Sequence, residues 1–474
     1  MKVLLIDPPG IDGLPVGRVL GSFGINKADQ LWPPYDLQVF AGYLKRFGHD
    51  FRIIDANNLN LTLQDIREEI ERFKPDWVIY LTCFQTFELD ARIARLSKDI
   101  NKDIKTACMS LSIFSVEEPE KALVRHPYLD YIPWGEPEVP LIRLINGETP
   151  LNVKGIYFRE GERVFFTGEA EKIKDLDELG IPVHEGMPLH IYRCPLAKRR
   201  PLAIVNCSRG CINWCIHCQA GAFQRPIRYR SVESVMEELR QVSALGIREI
   251  KFYDCSLPTK RDFAIELSEN ILKEGLRFTW HCNARADRID RELLGVMKKA
   301  GCHTISIGCE SANNEILRNM RKNETVEEIE TAVRMVKESG MRVLMYFTFG
   351  LPGETEETMK RTYEFVRRLM PDYVTFGIVV PAPGTPFYNE LKEKGYLIQK
   401  ELHWQDPTAL PSFNYPHLSR ERLFEFARES YRRYYFSPSY ILRRLFSITT
   451  VDEFLSSFSN ALSIMKRYVL GARH

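Results

Sequence analysis

Short apolar runs alternate with amphipathic helical patterns along most of the chain. Near the start, the apolar runs Val3–Ile6 and Trp77–Thr82 predict buried strands, and Leu63–Phe73 has the spacing of an amphipathic helix between them. This alternation is typical of a parallel sheet whose strands are joined by crossover helices. We therefore predict an α/β fold that begins with a Rossmann-like parallel-sheet domain over residues 1–145.

A second α/β series occupies residues 200–395. Its predicted strands are Leu202–Asn206, Glu249–Tyr253, Arg277–His281, Thr304–Ile307, Arg342–Phe347 and Tyr373–Ile378. Glycines at 246, 275, 301 and 340 follow the intervening helical patterns, where C-terminal caps are expected. Six such βα units predict a partial (βα)6 TIM-type barrel, with its chemistry at the carboxyl ends of the strands.

The remaining segments have other patterns. Residues 146–199 predict a linker that contains a hairpin, with arms at 155–158 and 163–166. Residues 396–474 predict a helical C-terminal region. The expected helices there are Arg420–Tyr435, Ser439–Phe446 and Val451–Tyr468.

Composition and charge narrow the classes of function. The 65 Lys and Arg nearly balance the 63 Asp and Glu, so no nucleic-acid partner is expected. No apolar run reaches the ~18 residues of a membrane span, and the N-terminus is typical of a first strand rather than of a signal peptide. The 11 cysteines therefore indicate a reducing, cytoplasmic compartment in which thiols bind metals or take part in chemistry.

Three cysteines are spaced as metal-binding thiols. Cys211, Cys215 and Cys218 form Cys-x3-Cys-x2-Cys in a loop after the first predicted barrel strand. Three thiolates can hold three irons of a [4Fe–4S] cluster and leave the fourth iron open to a substrate or cofactor. The alternatives are a four-thiolate cluster that includes Cys207 and a zinc site that uses Cys207 or His217. Cys207 ends the strand and should point away from the loop, which favours the open iron; the other seven cysteines are expected to be small buried residues.

The segment 208–218, SRGCINWCIHC, resembles the cluster loop of radical S-adenosylmethionine (SAM) enzymes, which usually have Pro at the position of Ile212 and an aromatic at that of His217. Further family-like motifs follow at successive predicted strand ends, at 252–254, 283–287, 308–311, 349–355 and 381–386. Singly, each motif also fits a turn or a helix cap. The resemblance implies a [4Fe–4S] cluster on the three cysteines. It also implies SAM contacts from Tyr253, Asp254, Arg285, Glu310, Ser311, Tyr346, Gly350 and Pro352.

The N-terminal part resembles the cobalamin-binding domain that precedes the radical domain in one large subgroup. The similar segments are 4–9, 33–37, 48–51, 74–77 and 135–138. This resemblance implies bound cobalamin, with contacts from Pro8, Pro9, Thr82, Gln85, Ser110, Gly135 and Glu136. The subgroup's Gly-Gly-Pro-His turn is replaced by Met109–Ser112, and no Asp-x-His-x-x-Gly motif occurs, so no histidine is expected below the cobalt. Without cobalamin, the domain would be a scaffold or a substrate shelf.

Together the resemblances imply a radical SAM enzyme that cleaves SAM to a 5′-deoxyadenosyl radical and methylates an unactivated carbon with the help of cobalamin. Segment 431–445 is similar to the hopanoid-biosynthesis and anaerobic protoporphyrin ester cyclase branches. One alternative is a cyclase or oxidoreductase that acts on a hydrophobic precursor without methyl transfer. Another is a non-enzymatic metal or electron-transfer module. A low-potential donor such as a ferredoxin or flavodoxin would supply electrons; no catalytic residue beyond the cofactor ligands is predicted.

The basic and aromatic segment Arg420–Tyr435, followed by Arg443 and Arg444, has two interpretations. The favoured one is a helix packed on the barrel, with its arginine stems lying along apolar surface. The other is docking on an anionic membrane, which would deliver a hydrophobic small-molecule substrate. A peripheral membrane contact is therefore a second expectation for this region.

Overall fold

The computed structural model describes residues 1–19, 22–25, 30–110, 118–398 and 410–465. The chain forms two compact units, one made mainly of residues up to Ile191 and the other of residues from Tyr192 onward.

The first unit confirms the predicted Rossmann-like sheet. Its described strands are β1 (Lys2–Asp7), β2 (Val16–Val19), β3 (Ser22–Ile25), β4 (Asp50–Asp55), β5 (Trp77–Leu81), β6 (Lys105–Met109), β7 (Tyr131–Pro133), β8 (Ile156–Glu160) and β9 (Arg163–Phe166). The main sheet has the order β4-β1-β5-β6-β7-β8-β9, parallel as far as β7 and antiparallel beyond it. The hairpin predicted at 155–166 thus extends this sheet.

Helices cover the parallel strands, so β5 is buried at every position. The described helices are α1 (Tyr35–Arg46), α2 (Leu63–Phe73), α3 (Phe87–Asp90), α4 (Arg92–Ile100), α5 (Pro119–Arg125) and α6 (Glu138–Ile145). A capping box between Thr62 and Asp65 starts α2, which buries Ile66 and Ile70. The sequence pattern predicts one helix over Leu89–Ile100, but the structure has two helices there, α3 and α4.

The second unit confirms the predicted partial barrel. Its described strands are β10 (Leu202–Val205), β11 (Ser208–Arg209), β12 (Arg228–Tyr229), β13 (Glu249–Phe252), β14 (Thr279–Ala284), β15 (Cys302–Glu310), β16 (Arg342–Phe349) and β17 (Tyr373–Ile378). The barrel sheet has the order β10-β13-β14-β15-β16-β17 and is parallel throughout. Its strands run in chain order, as repeated βα units require.

The helices of the second unit follow the predicted pattern, with short additions. They are α7 (Gln219–Phe223), α8 (Val232–Ala244), α9 (Arg261–Lys273), α10 (Arg291–Lys299), α11 (Asn314–Asn319), α12 (Val326–Glu338), α13 (Glu356–Leu369), α14 (Pro386–Glu393), α15 (Arg420–Tyr435), α16 (Pro438–Ser447) and α17 (Val451–Ile464). All four glycines predicted as C-terminal caps have positive φ. The last predicted helix is observed from Val451 to Ile464, and its predicted end at Tyr468 lies outside the described residues.

The barrel strands alternate between an apolar face and a polar face. On β14, Trp280 and Cys282 alternate with His281 and Asn283. The Trp280 indole donates a hydrogen bond to the Ala300 carbonyl at the end of α10 (2.7 Å), so the apolar face lies under the helices. The polar face therefore lines the barrel interior, where the site chemistry is expected.

Helix α15 packs on the barrel, which confirms the favoured interpretation of this segment. Its Phe426 ring lies 5.2 Å from that of Phe349, and the Tyr435 hydroxyl donates to the Val374 carbonyl (2.7 Å). Among the described residues, no helix is long and apolar enough to cross a membrane.

Candidate functional site

The cluster loop is held in a tight fold just beyond β10. Gly210 has φ +99°, and a Cβ there would lie 2.1 Å from the Gln224 carbonyl oxygen. The Ile216 amide donates to the Met320 carbonyl (3.1 Å), and the Ile216 carbonyl accepts from the Phe387 amide (3.1 Å). The loop backbone is therefore fixed from several sides.

The three cysteines of the loop are partly exposed, and Cys211 and Cys218 lie near enough to Cys215 to influence its ionisation. Burial raises the pKa of the Cys215 thiol to about 12; Lys322 lowers this pKa, whereas Cys218 and Cys211 raise it. Burial also raises the pKa of Cys218, as does Cys211. Such thiols ionise when a metal replaces their protons. The donor set therefore fits an iron–sulfur cluster held by three thiolates.

Cys207 and His217 differ from these thiols. Cys207 is fully buried, and burial and the adjacent Asp254 raise its pKa well above the usual value. Burial lowers the pKa of His217, which favours the neutral ring. Its Nδ1 atom is buried without a hydrogen-bond partner among the described residues. His217 is thus free to contact a bound group, whereas Cys207 is enclosed in the protein.

Arg285 joins the loop to the segment after α11. The Asn213 side-chain amide is oriented so that its oxygen faces Arg285, and this oxygen accepts from Arg285 Nη1 (2.9 Å) and Nε (3.1 Å). Arg285 also donates to Asp287 Oδ1 (2.8 Å) and to the carbonyl oxygens of Lys322 (3.2 Å) and Asn323 (3.3 Å). Arg285, predicted to contact SAM, is therefore also a clamp on the cluster loop.

Glu310 and Ser311 end β15 at a register shift. Glu310 has φ +63°, which turns the chain sharply at this point. Its Oε2 atom accepts from Thr348 Oγ1 (2.7 Å), and its Oε1 atom lies 3.7 Å from Lys322 Nζ. The Ser311 hydroxyl is fully buried and has no partner among the described residues. An unpaired buried hydroxyl fits the predicted SAM contact, because a bound ligand would supply its partner.

Asp254 has a different immediate role. Its Oδ1 atom accepts from Ser208 Oγ (2.5 Å), and the Cys207 amide donates to both carboxylate oxygens (3.1 and 3.2 Å). The Asp254 carbonyl accepts from Asn283 Nδ2 (2.8 Å). Asp254 thus holds the start of the cluster loop, and the half-buried Tyr253 precedes it at the end of β13.

The other predicted SAM residues lie within β16 or just after its end. The Gly350 amide donates to Glu354 Oε2 (2.5 Å), and the Gly350 carbonyl accepts from the Tyr415 hydroxyl (3.0 Å). Burial raises the pKa of Glu354 to about 8, although the Gly350 amide lowers it. The Pro352 carbonyl accepts from Asn319 Nδ2 (3.1 Å). Burial raises the pKa of Tyr346, in the middle of the strand.

Three residues near the loop were missed by the sequence analysis. Cys255, predicted to be buried, is an exposed residue just after Asp254. Desolvation raises the pKa of the Cys255 thiol, and Cys218 and Cys211 raise it further. Lys322 is buried beside Cys215, and the buried Tyr229 hydroxyl near Cys211 has no partner among the described residues. Of these three residues, only Cys255 could have been identified from the sequence, because it directly follows Asp254.

A buried polar network closes the other end of the barrel interior. Glu249 Oε1 accepts from His281 Nδ1 (3.2 Å) and His303 Nε2 (2.7 Å). Its Oε2 atom accepts from Thr279 Oγ1 (2.5 Å) and from the amides of residues 198 and 199. One ligand atom from each of Glu249, His281 and His303 lies within 4.8 Å of the others, but the carboxylate is saturated by these donors. The network is therefore structural.

In the first unit, an ion-pair cluster occupies the carboxyl ends of β1 and β5. Arg18, from the unpredicted hairpin β2–β3, pairs with Asp7 (3.0 Å) and Asp90 (2.8 Å). It also donates to the carbonyls of Pro8 (2.9 Å) and Pro9 (3.0 Å). The carbonyl oxygens of Pro8 and Pro9, two residues predicted to contact cobalamin, thus already bind Arg18.

The other predicted cobalamin contacts have mixed surroundings. The Thr82 hydroxyl donates to Asp90 Oδ2 (3.0 Å), and Ser110 is buried just after β6. Gln85 Nε2 is buried without a partner among the described residues, so a bound group with acceptor oxygens fits there. A Cβ at Gly135 would lie 2.8 Å from Ala170 Cβ, so the backbone packs closely at this point. Glu136 Oε2 accepts from the Ile173 amide (2.9 Å). Gly135 and Glu136 thus hold the segment that contains Ala170 and Ile173 in place.

Comparison with known proteins agrees with this geometry. Residues 205–366 match the radical SAM superfamily, and residues 21–108 match the B12 binding domain. An uncharacterized methyltransferase of Pyrococcus horikoshii is 29% identical over 94% of this chain and 95% of its own. The anaerobic magnesium-protoporphyrin IX monomethyl ester cyclase of Cereibacter sphaeroides is 28% identical over 85% of this chain and 67% of its own.

Among solved structures, the cobalamin-dependent SAM radical enzyme OxsB, with aqua-cobalamin and SAM bound, aligns with a TM-score of 0.73 and 18% identity. The alignment covers 99% of this chain and 72% of that one, so it supports the fold. The two matched domains imply a [4Fe–4S] cluster, SAM and cobalamin as cofactors. The chain therefore contains a radical SAM domain and a B12-binding domain.

Proposed function

We propose that this enzyme transfers a methyl group to an unactivated carbon of a hydrophobic small molecule, in the cytoplasm and in contact with a membrane surface. The observation that carries the proposal is the loop of three thiols, Cys211, Cys215 and Cys218, together with the unpaired buried hydroxyl of Ser311 at one of the predicted SAM positions. When bound, the cluster and SAM supply radical chemistry, and cobalamin supplies the carrier of the methyl group.

Cys211, Cys215 and Cys218 hold the cluster, and their surroundings carry the compensating charge. Burial lowers the pKa values of Lys322 and Arg285, nearby carboxylates raise them, and the Cys215 thiolate raises them further. Buried cations beside several thiolates reduce the cost of collecting negative charge in one place. These two side chains therefore favour the ionised, metal-binding form of the loop.

SAM binds on the rim beside the loop, in contact with the residues predicted from the sequence. Ser311 offers an unpaired hydroxyl, and the Glu310 carboxylate accepts hydrogen bonds from cationic or hydroxyl donors, as it does from Thr348. Arg285 and Asp254 act mainly by positioning the loop. Tyr253, Tyr346, Gly350 and Pro352 complete the predicted contact set.

Cobalamin binds in the first unit, at the carboxyl ends of its parallel strands. Gln85 contributes a free amide donor, and Pro8, Pro9, Thr82 and Ser110 surround the same strand ends. Gly135 and Glu136 shape the neighbouring turn. A ferredoxin or flavodoxin supplies the electrons, because reductive cleavage of a sulfonium needs a low-potential donor.

Radical cyclisation of a hydrophobic precursor is the second candidate function. It is favoured by the similarity over 85% of this chain to a magnesium-protoporphyrin ester cyclase. The non-enzymatic alternative lacks comparable support, since it does not account for the paired domains.

The test uses anaerobically purified protein, dithionite as the reductant and SAM with a labelled methyl group. We expect one [4Fe–4S] cluster and one corrinoid per chain, 5′-deoxyadenosine formation, and transfer of label to the corrinoid. A corrinoid-free protein that still cleaves SAM would contradict methyl transfer and favour the cyclase. Cluster-containing protein that neither binds nor cleaves SAM would contradict both enzyme candidates.

A further inference from the structure

Helix α17 is attached to the barrel through its polar side chains. The Glu453 carboxylate is fully buried and forms ion pairs with Arg342 and Arg444 (2.9 Å for Arg444). Arg444 also donates to the Ser457 hydroxyl (2.7 Å), one turn further along the helix. The inward face of α17 is therefore polar and firmly bonded.

Helix α16 is attached in the same way. The Tyr440 hydroxyl donates to the Asp372 carbonyl (3.2 Å), and Arg443 donates to the carbonyls of Met370 and Pro371. Arg443 and Arg444, which the membrane-docking interpretation would place at a lipid surface, both form contacts within the protein.

The outward faces of both helices are consequently apolar. The exposed apolar side chains are Ile441, Leu442, Leu445, Phe446, Val451, Phe454, Leu455, Phe458 and Leu462. Phe446 is 89% exposed and Val451 75%. Those on α17 follow helical spacing and form one stripe. A surface helix of a globular protein normally turns this stripe inward, and a continuous exposed apolar patch marks an interaction site.

A cationic pocket of about 300 Å³ adjoins the first turn of α17. It is lined by Lys198, Arg199, Arg248, Arg277, Thr450 and Asp452. Asp452 is the single carboxylate in this lining. In the described parts of the chain, no carboxylate forms an ion pair with any of the three arginines. The Thr450 hydroxyl donates to the Lys198 carbonyl (3.0 Å), so the pocket and the apolar stripe share one fixed helix start.

We propose that the apolar faces of α16 and α17, together with this pocket, form a docking surface for an anionic phospholipid bilayer. The apolar side chains enter the boundary between headgroups and acyl chains, and the arginines bind lipid phosphate groups. Charge complementarity selects this occupant, because a second copy of the chain would add another cationic pocket without adding matching carboxylates. This inference rests on the membrane contact of the proposed function and specifies the surface that forms this contact. It does not depend on the radical chemistry.

The test is co-sedimentation of the full chain with two kinds of vesicle, at low and moderate salt. One contains phosphatidylcholine alone, and the other contains phosphatidylcholine mixed with phosphatidylglycerol. We expect binding to the mixed vesicles, weakened by salt. The cationic variant combines Arg199→Gln, Arg248→Gln and Arg277→Gln. Its binding should fall on the order of a hundredfold, about fivefold for each arginine.

The apolar variant combines Phe446→Ser, Phe454→Ser and Phe458→Ser and should lose at least about tenfold in binding. A matched control carries Leu59→Ser, Val124→Ser and Leu151→Ser, which change exposed apolar residues of the first unit and should leave binding unchanged. Circular dichroism checks that each variant is folded.

Several outcomes would overturn the inference. No binding to mixed vesicles at low salt, or equal binding by wild type and both variants, would exclude the surface. A dimer in light scattering that becomes monomeric in the apolar variant would make a second copy the occupant. Saturable binding of inorganic phosphate that is lost in the cationic variant, without vesicle binding, would identify a free-phosphate site. Unchanged SAM cleavage in the variants would separate these failures from failure of the proposed function.

Discussion

The two ends of the barrel interior carry similar polar side chains but satisfy them differently. Where the strands begin, Glu249 accepts from five donors, and both of its oxygens are occupied. Where the strands finish, the hydroxyls of Ser311 and Tyr229 and the ring nitrogen of His217 are buried without partners among the described residues. A buried unpaired polar group costs about 1–3 kcal/mol. The contrast separates residues that hold the fold from residues that await a ligand.

The largest expected effect lies at the cluster end. Cys211→Ala, Cys215→Ala and Cys218→Ala should each abolish SAM cleavage, because a three-thiolate cluster loses a ligand. Cys207→Ala should keep the cluster, since that side chain is fully buried, unlike the three thiols of the loop. Iron and sulfide analysis together with chromatography of 5′-deoxyadenosine measures both. Equal cluster loss in the Cys207 variant would favour the four-thiolate alternative.

At the opposite end, Glu249→Gln should lower the free energy of unfolding by about 3–5 kcal/mol, because it removes the charge that buried donors surround. Urea unfolding measures this loss. The affinity of the folded variant for SAM should match that of the wild type. A variant of normal stability but weaker SAM binding would reverse the roles assigned to the two ends.

The same network should make stability depend on pH. Burial lowers the pKa of His281 from 6.5 to about 4, although Glu249 raises it. The unfolded chain therefore binds the proton more readily, so stability present above pH 6.5 declines as pH falls towards 4, by up to about 3 kcal/mol. Urea unfolding across this window would show the slope, and His281→Gln should flatten it. An unchanged slope in that variant would assign the proton elsewhere.

At the rim, Glu310→Ala should weaken SAM binding by about 1–3 kcal/mol through loss of a partly buried acceptor. Isothermal titration of the reconstituted protein with SAM measures the change, and iron content should stay at the wild-type level. Thr358→Ala, in the exposed cap of α13, is a matched control with normal SAM affinity. Unaltered affinity in the Glu310 variant would leave that residue with only its bonds to Thr348 and Lys322.

The smallest expected effect is that of Ser311→Ala, which should change the affinity for SAM but not the stability of the fold. Ser311→Ala removes a hydroxyl that has no partner in the described structure, so the free energy of unfolding should stay within about 0.5 kcal/mol of wild type. SAM affinity should fall by about 1 kcal/mol, the value of one hydrogen bond. A marked loss of stability with normal SAM affinity would make Ser311 part of the fold.

Much of this fold could be predicted from the sequence, because periodicity reports burial directly. The helix bounds of α2 and α15 agree with the prediction, and the glycine caps locate the helix ends. Strand ends were less accurate: β15 continues past Ile307 to Glu310, since polar residues facing the barrel interior interrupt the apolar run. The hairpin that carries Arg18 was missed, because its stability comes from distant partners, Asp7 and Asp90.

The site was only partly accessible from the sequence. Cysteine spacing indicated the cluster loop, but Lys322 and Tyr229 reach it from distant positions that no local pattern marks. Asp254 illustrates the converse, since its motif position predicted a SAM contact, whereas its carboxylate is bonded to the loop start. Sequence patterns identify segments, and tertiary contacts then decide which atoms remain free for a ligand.

The central claim is that a three-thiolate cluster at the barrel rim leaves one iron open to SAM. Electron paramagnetic resonance of the anaerobically reconstituted, dithionite-reduced protein tests it most directly, with and without added SAM. The account predicts one reduced [4Fe–4S] signal per chain that shifts when SAM is added, in wild type and in Cys207→Ala alike. A cluster signal that SAM leaves unchanged, or that disappears in Cys207→Ala as it does in Cys215→Ala, would contradict it.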